Sequence, residues 1–182
     1  MTDETAAPTD ERVLLLGMMG SGKSSVGEAL SRRTGWPFVD NDALVERATG
    51  LTARALLARR GEAAMRAAEA AALETALGLP LPVVAATAAG TILDPDNRRR
   101  LAGGGFVVWL RAPAEVLAAR AVGADHRPWL DEDPVGWFRA ALDEREALYA
   151  SVADLEVDTH RLTPDEGAAR IVEALARDTI ST

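Results

Sequence analysis

The chain has no cysteine. That excludes a disulfide framework, thiol catalysis and any cysteine-bound zinc or iron–sulfur centre. Histidine is almost as scarce. His126 and His160 are the only two, too few for a multi-histidine metal centre, and neither draws a role. Any metal used here is therefore hard and oxygen-bound. The longest apolar runs, such as Val13–Leu16 and Val83–Ala86, fall far short of the ~20 residues a membrane helix needs. Basic charge is in deficit: 20 Lys+Arg against 28 Asp+Glu leaves a net charge of −8, which argues against a nucleic-acid module. Lysine is the sharpest shortage, because every basic side chain except Lys23 is arginine. A sequence this averse to lysine points to Lys23 as the place to look for chemistry.

What is present suits one globular domain. The 182 residues are 48% hydrophobic and 26% charged, enough apolar side chain for a core. No charged-then-apolar leader opens the chain; Met1–Glu11 is polar and acidic and reads as a loose tail. The expectation is a soluble, cytoplasmic protein.

Along the chain, strand and helix signals alternate. Arg12–Leu16 reads as a buried strand, Ser24–Thr34 as a helix, and Pro37–Val39 as a second strand running into Asp40, Asn41 and Asp42. Residues 42–79 read as helical, with breaks near Gly50 and Gly61 and a dense run of alanine between Ala63 and Ala76. Strands follow at Pro82–Ala86, Phe106–Leu110 and Asp154–Val157. Helices are expected at Pro95–Ala102, Pro113–Val122, Val135–Ala150 and Thr163–Arg177, the last capped by Thr163. Gly123–Pro134 reads as a mobile loop. Arg98–Arg100 reads as a solvated helix face, and Trp36, Trp109 and Trp137 as packing. This alternation implies an α/β fold with a parallel sheet covered on both faces.

The segment Gly17-Met18-Met19-Gly20-Ser21-Gly22-Lys23-Ser24 fits G-x-x-x-x-G-K-[ST] and lies between a strand and a helix, where the mechanism requires it. Glycines let the backbone wrap around phosphates, and the amides with the helix N-terminus bind the anion. Lys23 would reach the β- and γ-phosphates, and the Ser24 hydroxyl would hold Mg²⁺. A GTPase would need a second lysine to read guanine, and a motor-type ATPase an acid at the end of a later core strand. Neither is present. Asp40 ends the second strand, where it can help hold Mg²⁺, and Asp42 can face an acceptor hydroxyl. Both can also cap the following helix. The pattern suits a small-molecule kinase.

Further motifs extend this reading. After the phosphate loop come Phe38-Val39-Asp40-Asn41-Asp42 and Gly61-Glu62-Ala63-Ala64-Met65-Arg66. Arg120 and His126-Arg127-Pro128-Trp129-Leu130 follow, then Arg145-Glu146-Ala147-Leu148-Tyr149. In this order the set resembles the shikimate kinase family, from about Arg12 to Ala176. The resemblance implies a P-loop kinase fold: a five-stranded parallel sheet flanked by helices, with a helical substrate-binding subdomain and a lid. The kinase domain is expected over 12–178, with the subdomain at about 41–79 and the lid at about 121–134. Tails are expected at 1–11 and 179–182. It further implies ATP bound by Gly20, Ser21, Gly22, Lys23, Ser24, Ser25, Arg120 and Arg127, with Arg120 against the adenine. Mg²⁺ would be held by Ser24 and Asp40. Lys23, Asp42 and the lid residue Arg127 are the expected catalytic groups. The acceptor would be held by Asp42, Arg66, Ala88, Ala89, Gly90 and Arg145. The implied reaction phosphorylates the 3-hydroxyl of shikimate, in a monomer that touches neither nucleic acid nor membrane.

Departures from the family keep two other readings open. Ala88-Ala89-Gly90 stands where the family has three glycines, and methionine replaces an aromatic at Met65. Alanine retains its N–H but adds a Cβ, with strain of roughly 1–2 kcal/mol if φ is positive. Trp129 is bulkier than a lid leucine. The alternatives are a diverged kinase of another polyol acid, cyclitol or sugar acid, and a catalytically silent nucleotide-binding module.

Overall fold

A computed structural model describes residues 11–121 and 132–181. Most of the expected lid, including His126, Arg127 and Trp129, lies outside the described residues, as does 1–10. The strands are β1 (Arg12–Leu16), β2 (Phe38–Asp40), β3 (Val83–Ala86), β4 (Phe106–Arg111) and β5 (Leu155–Asp158). The helices are α1 (Lys23–Thr34), α2 (Asn41–Thr49), α3 (Ala53–Leu77), α4 (Pro95–Ala102), α5 (Ala114–Ala121), α6 (Pro134–Ala150) and α7 (Pro164–Ser181). The sheet runs β2-β3-β1-β4-β5, and every neighbouring pair is parallel. This is the expected five-stranded α/β architecture.

The continuous apolar run of β1 makes sense in its central place. Leu14 and Leu16 enter one core with Val45, Leu73, Trp109 and Tyr149, while Val13 and Leu15 enter the other with Leu30, Trp36 and Ile171. A strand alternates its side chains between faces, so one buried on both reads as uninterrupted hydrophobicity. Thr163 caps α7 reciprocally: its Oγ1 accepts from the Glu166 amide, and the Glu166 carboxylate accepts from the Thr163 amide at 2.7 Å. α7 continues to Ser181, past the expected end of the domain at 178.

Both expected breaks fall where glycine permits them. Gly50 ends α2, and Gly61 interrupts α3 at φ 82°, ψ 173°, a backbone that side-chain-bearing residues rarely adopt. Thr91–Leu93 forms a 3-10 turn that the sequence reading lacks. That turn corrects the reading of Arg98, whose Nη1 donates to the carbonyls of Ile92 at 2.7 Å and Leu93 at 3.1 Å. Arg98 therefore ties off a turn end rather than lying in solvent. Arg100 pairs with Glu74 across to α3.

Candidate active site

In a parallel sheet, all strands deliver their C-terminal ends to one edge, and ligands collect there. The phosphate loop follows β1, Asp40 ends β2, Thr87–Gly90 follow β3, and Thr159 follows β5. These segments line a cleft of about 950 Å³, closed on its other side by α3 and α6.

At the phosphate end, Gly22 starts α1 with φ 93° and carries no side-chain cap, so the first amides of the helix are left for an anion. Lys23 Nζ donates to the carbonyls of Gly17 and Met18, both at 2.9 Å. Burial pulls its pKa from 10.5 down to about 8, opposed by the carboxylates of Asp40 and Asp42. Gly20, Gly22, Lys23, Ser24 and Ser25 all line the cleft. Ser21 lies beneath the loop, 1% exposed, with its amide bonded to the Met18 carbonyl at 3.1 Å.

Ser24 Oγ donates to Asp40 Oδ2 at 2.7 Å, and Asp40 Oδ1 accepts from the Asp42 amide at 3.0 Å. Asp40 thus caps α2 and partners the phosphate-loop hydroxyl with its two oxygens. The capping reading of Asp40 holds, and the same carboxylate also engages the Ser24 hydroxyl. Magnesium takes oxygen ligands, keeps several waters and leans on substrate phosphates. Ser24 and Asp40 fit that demand, with Asp42 beside them on the cleft wall. Among the described residues no cluster of three or more acidic or histidine side chains forms a cage of its own. Such a site suits an ion shared with nucleotide phosphates.

Away from the phosphate loop, the cleft is built on arginine. Arg66 Nη1 donates to Glu69 Oε2 at 2.8 Å and Nη2 to Glu62 Oε1 at 3.3 Å. Burial works against the Arg66 charge, but these carboxylates outweigh it and raise its pKa; burial raises that of Glu69. Arg145 has a side chain only 11% exposed; its Nε pairs with Glu144 at 3.3 Å and its Nη1 reaches Met18 Sδ at 3.6 Å. The surface pairing that its acidic neighbours suggest thus coexists with a place in the cleft. Ala88, Ala89 and Gly90 line the floor of the same cleft, with Gly90 against Arg66.

Arg120 braces the phosphate loop. Its Nη1 donates to the Gly20 carbonyl at 3.1 Å, and its Nη2 to the Thr159 carbonyl at 2.8 Å. Thr159 Oγ1 in turn donates to the Ser21 carbonyl at 2.8 Å. The sequence reading misses Glu62, Glu69, Thr159 and Arg54, all of which line the cleft. Glu69 was findable, since it stands three residues after Arg66 on one helix face. Trp137, read as packing, meets Phe138 edge-on at 5.0 Å and also lines the cleft.

A glycine-wrapped phosphate loop, a hydroxyl–carboxylate pair beside it and an arginine-lined cleft on one parallel sheet define a P-loop kinase of small molecules. Residues 19–176 match the family described as shikimate kinase, and the chain belongs to that family. It is 41% identical over 164 residues to a shikimate kinase from Paramagnetospirillum magneticum, covering 90% of this chain and 83% of the relative. Its structure resembles that of a shikimate kinase from Acinetobacter baumannii in complex with shikimate. The TM-score is 0.88 with 31% identity over 93% of this chain and 95% of the other. A gluconokinase from Sinorhizobium meliloti resembles it less, with TM-score 0.63 and 25% identity over 94% of this chain and 95% of the other.

Proposed function

We propose that this protein transfers the γ-phosphoryl group of ATP to the 3-hydroxyl of shikimate, giving shikimate 3-phosphate and ADP. The observation that carries the reading is the distribution of charge in one cleft. Lys23, Ser24 and Asp40 share one cleft with Arg66 and Arg145, and the Asp42 carboxylate acts on Lys23 at one side and on Glu69, the partner of Arg66, at the other. A rigid hydroxy acid fits that span: its carboxylate meets guanidinium forks, and its hydroxyl faces Asp42.

The reaction forms one O–P bond from the acceptor hydroxyl and breaks the P–O bond to ADP. Asp42 orients the hydroxyl and takes or passes on its proton. Lys23 neutralises charge that spreads over the γ-phosphate oxygens. Ser24 and Asp40 would hold Mg²⁺, which supplies further neutralisation when bound. Arg127, from the segment outside the described residues, completes the proposed catalytic set. Gly20, Gly22, Ser25, Ser21 and Arg120 are the proposed nucleotide-binding residues, and Ala88, Ala89 and Gly90 the acceptor floor.

The same reading proposes a single kinase domain with its acceptor subdomain at about 41–79, acting as a cytoplasmic monomer. Among the described residues no helix is long and apolar enough to cross a membrane. The likeness to a gluconokinase, together with the added Cβ atoms of Ala88 and Ala89, supports a second reading in which a sugar acid is the acceptor. Coupled measurement of ADP release with Mg·ATP decides between them: shikimate should give saturable turnover, whereas turnover with gluconate alone overturns the first reading.

A further inference from the structure

Tyr149 has no role in the chemistry above, yet it touches two parts of the site. It stands one turn after Arg145 on α6 and is 1% exposed, with its ring stacked on Trp109 at a centroid distance of 5.7 Å. Its hydroxyl donates to the Ala89 carbonyl at 2.8 Å. A phenol has one proton, so its approach to Met18 Sδ at 3.8 Å is a contact rather than a second donation. Arg145 Nη1 reaches the same sulfur at 3.6 Å. Immediately after Ala89 comes Gly90, where an added Cβ would lie 1.7 Å from Arg66 Nη1.

Each acceptor arginine therefore lies against a group that Tyr149 touches or that directly follows one it touches. Arg66 lies against Gly90, next to the carbonyl that the phenol holds, and Arg145 lies against the Met18 sulfur that the phenol abuts. Burial raises the Tyr149 pKa well above the ordinary value, so the hydroxyl stays a donor at any working pH.

We propose that Tyr149 is a positioning residue for the acceptor. Its hydroxyl sets the Ala88–Gly90 floor against the phosphate loop and so holds Arg66 and Arg145 at the spacing the acceptor requires. This rests on the reading of those two arginines as the acceptor's anchors.

Tyr149→Phe removes the hydroxyl and keeps the ring on Trp109. Trp109→Phe shrinks the stacking partner and keeps the hydroxyl. Steady-state kinetics on both, with shikimate and ATP varied in turn, and thermal midpoints form the test. Tyr149→Phe is expected to raise the acceptor KM roughly three- to tenfold, the effect of one net hydrogen bond, with kcat and the ATP KM within about twofold. Trp109→Phe is expected to lower the thermal midpoint and leave the acceptor KM within about twofold. An unchanged acceptor KM in Tyr149→Phe overturns the proposal. So does an equal rise in Trp109→Phe, which would reduce the phenol to packing. If the wild-type protein does not turn over shikimate, the functional reading fails and this proposal falls with it. An active wild type with an unaffected Tyr149→Phe overturns the positioning role alone.

Discussion

The guanidinium of Arg66 occupies the space that a side chain on Gly90 would need, since a Cβ built there would stand 1.7 Å from Nη1. Gly90 itself has φ −85°, so its lack of a side chain serves space and not backbone conformation. Gly90→Ala should therefore fold, because the clash falls on the far end of a flexible side chain, but Arg66 must move. The acceptor KM is expected to rise roughly tenfold or more, the effect of losing a charge-assisted pair, with the ATP KM within about twofold. Arg66→Ala should show the same split. Equal losses on both substrates would contradict the division of the cleft.

Asp40 serves as both helix cap and partner of Ser24, and the two roles separate by mutation. Asp40→Asn keeps a cap acceptor and should cost less than about 1 kcal/mol of stability by urea unfolding. It should nonetheless raise the Mg²⁺ concentration needed for half-maximal turnover severalfold. An unchanged Mg²⁺ requirement would leave Asp40 as a cap only.

Lys23 carries a pH dependence with a definite sign. Burial lowers its pKa to about 8, so below that pH the free protein offers phosphates an ammonium and above it a neutral amine. ADP affinity by calorimetry should fall as pH rises from 7 to 9, and the slope should vanish in Lys23→Met. Turnover of that variant is expected to drop on the order of a thousandfold. A wild-type affinity flat across that range would contradict the assignment.

Gly27 of α1 meets the ring of Phe38, with a built Cβ 2.3 Å from Cε2. Alanine gains up to about 1 kcal/mol in helix propensity, but overpacking costs about 1–3 kcal/mol, so Gly27→Ala should be destabilised on balance. Urea unfolding checks this, and a stabilised variant would show that Phe38 swings away freely.

Much of this was legible in the sequence because its signals are local. The apolar run of β1, the glycines at 50 and 61 and the spacing of the phosphate loop each act within a few residues. What sequence alone concealed depends on contacts between distant elements. Arg66 enters the expected site only through the family resemblance, because nothing local in its alanine-rich helix shows Gly90 beside it. The run Arg98–Arg100 has the pattern of an exposed face, yet Arg98 caps a turn too short to leave a periodic signal. Trp137 reads as packing, and only the packing of α6 against distant elements brings it into the cleft. The tie from Tyr149 to Ala89 spans 60 residues and has no sequence pattern at all.

The most direct test is ADP release by the purified protein with Mg·ATP, with and without shikimate, beside parallel runs with gluconate, quinate and a cyclitol. Saturable turnover that depends on shikimate, with product phosphorylated at the 3-hydroxyl, is the expected result. Turnover with another acceptor alone, or tight ATP binding with no transfer to any of them, would contradict it.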